Sequence, residues 1–229
     1  MTEKNCTDTR NKLIVAAGEL FANYGYDGVS IRTIAEKAGV NSAGINYHFG
    51  GKDGLYIEVI RYVLSDIYKS SFKSILQNNP DLDKTDAGLA ELITRHVAII
   101  YGDIFYSEDP DWHLSLIVRE MQNPTIALGF IVNEFFMPKH NEQVGFFKKV
   151  SANCGDIKPH VWAFMAFSQA LFLKNMHKPI GMLMDSKGID YLGVINESAQ
   201  MTARIMVEAL GLPLPQYLLR DGFIIQDYL

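Results

Sequence analysis

Residues 30–49 read SIRTIAEKAGVNSAGINYHF, and this stretch decides the fold. Ser30 is a predicted N-cap for IRTIAEKA, and Gly39 ends that helix. Asn41 or Ser42 caps a second short segment that ends near Phe49. A helix-turn-helix needs a small residue where its second helix crosses the first, a turn residue that tolerates positive φ, and an inward apolar residue in the second helix. Ala35, Gly39 and Ile45 meet these needs at the intervals a tight two-helix crossing requires. Ile31, Ile34, Val40 and Phe49 join Ile45 on the inner side, so Ser42, Ala43, Asn46 and Tyr47 point outward. Small and hydrogen-bonding groups of this kind suit the base edges and phosphates of a major groove. Ser30, Arg32 and Thr33 at the start of the first helix, with Asn41 and His48 at the two ends of the second segment, are the expected flanking contacts. Lys52 opens the next helix, where free backbone N–H groups and the helix dipole also favour a phosphate.

Outward from this stretch the chain reads as helices cut by turn residues. Residues 10–24 place Leu13, Ala17, Leu20, Phe21 and Tyr24 on one face, and GYDG at 25–28 breaks the pattern. A long helix is expected from Lys52 or Asp53 to about Gln77, where NNPD stops it. Further helices are expected at about 83–106, 110–122, 124–150, 156–177 and 189–210, punctuated by Pro110, Pro124, Pro159, Gly181, Gly211 and Pro213. Strand-like alternation is nearly absent, and the final FIIQDYL reads either as a short strand or as a docking segment. The predicted class is all-α. A three-helix DNA-binding head (1–55) joins a larger helical domain (56–229) through the helix that begins at Lys52.

The 229 residues carry a formal net charge of -5, which by itself argues against nucleic acid. The distribution changes that reading. Residues 1–55 hold six basic and six acidic groups, so the rest of the chain carries the whole excess of acid. A neutral head on an acidic body touches DNA with the head alone, because the body repels phosphates. Two cysteines, Cys6 and Cys154, without a CxxC or Cys/His cluster suggest neither a zinc site nor a disulfide framework, and no cofactor is expected. The polar first residues and the lack of a long uncharged apolar run point to a cytoplasmic protein with no membrane partner. His96, His113, His140, His160 and His177 fall in no metal-ligand spacing, and no glycine-rich phosphate loop follows a strand. The chain therefore does not read as an enzyme.

The run AxxLFxxxGYDGVSIRTIAEKAGVNSAGINYHFGGKDGLY, over about residues 10–60, resembles the DNA-binding head of the TetR family of transcriptional regulators. That family typically shows an aromatic where Asn46 stands here. The resemblance implies a homodimer with two heads in successive major grooves of a pseudo-palindromic double-stranded operator. It also implies a helical C-terminal domain that binds a small effector and releases DNA. HLSLIVREMQNPT at 113–125 resembles the C-terminal domain of the CecR-like branch.

The body gives two seams. The segment 156–177 is apolar nearly all round, with Trp162, Met165, Gln169, Phe172 and Met176 on one stripe. Leu192, Ile195, Ala199, Thr202, Met206 and Ala209 form a second seam whose small residues permit close approach. The dimer face is expected at Phe172, Met176, Leu192, Ile195, Ala199, Thr202 and Met206. An effector site is expected from Trp112, Leu116, Arg119, Met121, Phe136, Trp162, Met165 and Gln169, with Arg119 fixing an anionic head. The competing reading of those aromatics is plain core. A ligand that tilts the helix at Lys52 would change the spacing of the two heads, which must be about 34–36 Å for adjacent half-sites. The alternative is a regulator of the same fold governed by redox, by a protein partner or by no effector, or an activator.

Overall fold

The computed structural model describes residues 3–66, 71–220 and 223–229, with side chains described from residue 8 to 65 and from 71 onward within those ranges. In chain order the helices are α1 (Glu3–Tyr24), α2 (Ile31–Ala38), α3 (Ala43–Phe49), α4 (Lys52–Asp66), α5 (Phe72–Asn78), α6 (Asp86–Phe105), α7 (Trp112–Gln122), α8 (Leu128–Ile131), α9 (Met137–Val150), α10 (Lys158–Asn175), α11 (His177–Asp185) and α12 (Tyr191–Glu208). A π-helical turn, Val132–Phe136, joins α8 to α9. Among the described residues there is no strand, and no helix is long and apolar enough to cross a membrane.

The long helix expected over 52–77 is two helices. The described part of the first ends at Asp66, and α5 begins afresh behind Ser71, whose extended backbone (φ -143, ψ 158) cannot continue a helix. Ser71 accepts from the Ser74 N–H while Ser74 Oγ takes the Ser71 N–H, a reciprocal cap that satisfies two otherwise orphaned donors. The part of that expectation at 67–70 lies outside the described residues. The short helix α11, with Gly181 in its middle, occupies what reads as a break.

The contacts divide the chain into two units, Met1–Ile67 with Glu108–Met137, and Tyr68–Ser107 with Pro138–Leu229. In the first unit α1 supplies Leu13, Ile14, Ala17 and Phe21 to a core that also takes Ile34 and Ala35 of α2 and Ile45 of α3. Leu55, Tyr56, Val59, Ile60 and Val63 of α4 and Leu116 and Ile117 of α7 complete it. Each fully buried aliphatic or Phe side chain contributes roughly 1.5–3 kcal/mol. α7 lies directly on α1, and a Cβ at Gly18 would overlap the Trp112 ring. α1 stops at Gly25, whose positive φ (76) turns the chain out of the helix while its N–H bonds Phe21 O at 2.9 Å.

In the second unit α12 packs against α6 and α10. Ala163, Ala166 and Ala170 on α10 and Ala199 and Ala203 on α12 are buried and leave room for close helix approach. Trp162 is buried too, and its Nε1 donates to Met206 O at 2.9 Å. Tyr101 of α6 and Thr202 of α12 share a hydrogen bond at 3.1 Å. The tail is a docking segment and not a strand. Phe223 and Ile225 are buried, Ile225 N donates to Asn196 Oδ1 at 3.1 Å, and Leu229 packs on Gly102.

This packing corrects the expected dimer face. Ile195, Ala199, Thr202 and Met206 turn into their own subunit's core, because α6 and α10 cover that seam. The outward apolar side chains of α12 are Leu192, Met201 and Ile205, and those of α10 are Val161, Phe164 and Phe172. Phe172, Met176 and Leu192 of the expected set are exposed.

Candidate nucleic-acid interface

The helix-turn-helix is built by local capping. Ser30 has extended backbone (φ -98, ψ 154), and its Oγ accepts from the Thr33 N–H at 3.1 Å and lies 2.8 Å from Thr33 Oγ1. Gly39 is left-handed (φ 67, ψ 31) and its N–H reaches back to Ala35 O and Glu36 O. The cap of α3 is made by Asn41, whose Oδ1 accepts from the Ala43 N–H at 2.8 Å. Ser42 is helical and makes no side-chain cap bond. Gly50, again left-handed (φ 73), ends α3, and α4 starts two residues later.

These constraints leave α3 with one buried side chain, Ile45, and an outer face of Ala43, Asn46 and Tyr47. Tyr47 is 82% exposed, an extreme value for an aromatic, and its ring meets His48 edge-on at 4.9 Å. Arg32 pairs with Glu36 at 2.8 Å, but both side chains are largely in solvent. Such a pair is worth little and leaves the guanidinium available to a phosphate. Ser30, Thr33, Asn41 and Ser42 are exposed. Lys52 is half-buried, with its ammonium 4.3 Å from the centre of the Tyr26 ring.

Two residues of this surface are missed by sequence reasoning. Tyr26 is the platform under Lys52, and its hydroxyl donates to Asp53. Burial, then the hydrogen bond and charge of Asp53, push Tyr26 up to about 12. Arg10 pairs with Glu58, lies 5.4 Å over the Phe49 ring, and lines a cleft of about 420 Å³ with His48, Asp53 and Ile57. Neither follows from helical spacing, since each contact joins distant parts of the chain.

The residues expected at an effector site divide between the two units. Leu116 is buried in the first core beside half-buried Trp112, while Met121 is exposed and Phe136 packs on the core edge. Trp162 belongs to the second core, where Met165 is half-buried and Gln169 exposed. Arg119 does not point its fork at an open cavity alone. Its Nε and Nη2 donate to Ala22 O (3.0 Å) and Asn23 O (3.1 Å) at the end of α1. Glu120 next to it is fully buried and accepts from Tyr56 Oη at 2.7 Å and from Thr125 N at 2.7 Å. Both line a cleft of about 510 Å³ with Tyr24, Tyr26 and Tyr56. Cys154 is a half-buried free thiol, and the Cys6 side chain lies outside the described residues. Among the described residues no group of three or more His, Cys, Asp or Glu is placed to hold a metal ion.

Residues 13–59 match the family described as bacterial regulatory proteins, tetR family. Residues 89–210 match the C-terminal domain of the HTH-type transcriptional dual regulator CecR. The chain is 34% identical over 87 residues to the probable HTH-type regulator YttP of Bacillus subtilis, covering 37% of this chain and 40% of that one. It is 30% identical over 139 residues to CecR of Shigella flexneri, covering 58% of this chain and 60% of that one. The matches thus span less than two thirds of these relatives. Among solved structures, the hemolysin II regulator HlyIIR shares the fold with a TM-score of 0.53 at 18% identity, over 89% of this chain and 97% of that one.

Proposed function

Since the chain belongs to the TetR family of bacterial regulatory proteins and carries a CecR-type C-terminal domain, we propose that it is a homodimeric repressor that grips a pseudo-palindromic operator through α3. That family consists of transcription regulators and not of enzymes. The observation that carries the reading is α3 itself, capped at both ends, held by one buried residue, and presenting Asn46 and Tyr47 to solvent. Asn46 is the proposed base reader, since a side-chain amide can bond an adenine edge with both its groups. Ser30, Arg32, Thr33, Tyr47, His48 and Lys52 are the proposed phosphate and groove contacts, with Asn41, Ser42 and Ala43 allowing close approach. The proposed functional division is a head at 1–55 and an effector and dimerisation region at 56–229, although Glu108–Met137 belongs to the compact unit of the head, and the proposed place of work is the cytoplasm.

The outward stripe Val161, Phe164 and Phe172 of α10, with Met201 and Ile205 of α12, supports a homodimer, because large apolar groups on one face seek a partner. The proposed effector is a small, largely apolar molecule whose binding shifts the population of DNA-competent dimers. A coupling of about 1–3 kcal/mol would lower operator affinity roughly 5–150-fold. A second reading, repression at one promoter and activation at another, is favoured by the relative described as a dual regulator.

The test is binding of the purified full chain to the DNA upstream of its own gene at two salt concentrations, with excess competitor DNA. Saturable, salt-sensitive binding that survives competition supports the reading. A chain that selects no sequence from random DNA and binds only non-specifically sinks it.

A further inference from the structure

We infer that Arg119 and Glu120, neighbours on α7, are positioning residues that set the α1–α2 turn and the first turn of α4, and so the phosphate-contacting groups of the head. This rests on the DNA-binding reading above. Each residue holds a different helix. Arg119 donates two hydrogen bonds to the last carbonyls of α1, at Ala22 and Asn23, immediately before the GYDG turn that leads into α2. The end of a helix leaves such carbonyls without internal partners, and a charged fork is a strong way to satisfy two of them. Glu120 accepts from Tyr56 of α4 and is fixed from its other side by the Thr125 N–H and hydroxyl.

From Tyr56 the contacts run on to the DNA-facing side. The Tyr56 ring lies 4.9 Å from that of Tyr26 and edge-on to Phe21 at 4.8 Å. Tyr26 in turn bonds Asp53 and underlies the Lys52 ammonium. One short path therefore joins α7 to Lys52 through Tyr56 and Tyr26. The segment that carries α7, Glu108–Met137, lies in the chain between the two stretches of the other unit. Any event that shifts this segment moves the pair, and with it the end of α1 and the start of α4.

Burial strengthens the arrangement. Glu120 is fully enclosed, and the Tyr56 hydroxyl is held well above its ordinary pKa by burial first and by Glu120 second. An unmade hydrogen bond at an enclosed carboxylate is costly, so the Tyr56–Glu120 contact is expensive to break.

The experiment uses the full chain and the variants Arg119→Gln, Lys52→Ala and their combination, with Arg204→Gln as a control whose guanidinium pairs with Glu208 on the surface of α12. Operator affinity and amide hydrogen exchange are read together. Arg119→Gln is expected to lower affinity roughly tenfold, within the usual range for coupled sites. Amides at 25–28 and 52–55 are expected to exchange faster, while those of α12 hold their rate. Arg119 holds the end of α1 just before the turn that carries Tyr26, and Tyr26 underlies Lys52, so the double variant should lose clearly less than the product of the single losses. A residue that merely stabilises the fold would give multiplicative losses and faster exchange throughout. Multiplicative losses, or unchanged exchange at 52–55, overturn the inference. Tyr56→Phe, which removes only the hydroxyl, provides a second variant should Arg119→Gln fail to fold. If the wild-type chain selects no operator, the functional reading fails, and the exchange pattern alone decides whether the pair positions these turns.

Discussion

Gly39 exposes the head to a single backbone change. It holds φ 67 and ψ 31, and its N–H bonds Ala35 O and Glu36 O to finish α2. A Cβ built there meets no atom within 4 Å, so any penalty for a larger residue comes from the backbone and not from collision. The left-handed conformation costs an L-residue roughly 1–2 kcal/mol. Ala also loses less freedom on folding than Gly, which returns about 0.4–1 kcal/mol. Gly39→Ala should therefore destabilise by about 1 kcal/mol, roughly a fivefold change in the folding constant. Gly39→Asn should cost less, since Asn tolerates this region, and Gly39→Val more, since β-branching narrows its options. Urea unfolding followed by circular dichroism gives the order Gly, Asn, Ala, Val, and operator binding measured alongside should weaken in the same order as α3 is re-aimed. An Ala variant with unchanged stability and affinity, or an Asn variant worse than Val, would refute the argument from backbone conformation.

Lys52→Ala should weaken binding to all DNA sequences about equally and reduce the slope of log affinity against log salt by about 0.9, the value for one phosphate contact; a slope that stays the same removes Lys52 from the interface. His96 is buried, and burial first and the Lys139 charge second lower it to about 3. Its folded pKa lies below the unfolded value of about 6.5, so its contribution is fully present above pH 6.5 and is lost as pH falls toward 3, by up to about 1.4 kcal/mol per pH unit. Urea midpoints taken from pH 7 to pH 5 should fall for the wild type and fall less for His96→Gln, and parallel curves would show that another group governs the acid limb. Ile205→Glu places a charge on the outward face of α12 and should weaken self-association by about 2 kcal/mol or more, roughly 30-fold; sedimentation showing an unchanged dimer would move the interface elsewhere.

The head was legible in the sequence because its determinants are neighbours along the chain. Ser30 caps three residues on, Gly39 turns where only a residue free of a Cβ is comfortable, and Ile45 faces inward by helical spacing. These depend on backbone sterics and on hydrogen bonds within a turn, and they need no partner to be read. Tertiary structure decided the rest. A helix as apolar as α10 has no inner face until α6 and α12 choose one, which is why the seam of Ile195, Ala199, Thr202 and Met206 reads as an interface and proves to be core. The break at Ser71 is a weak local signal, since no Gly or Pro marks it. Arg119 is an apparent ligand anchor until the carbonyl end of α1, 96 residues earlier in the chain, is brought against it. Local chemistry is written in spacing, whereas the use of a face or a fork is settled by what lies across from it.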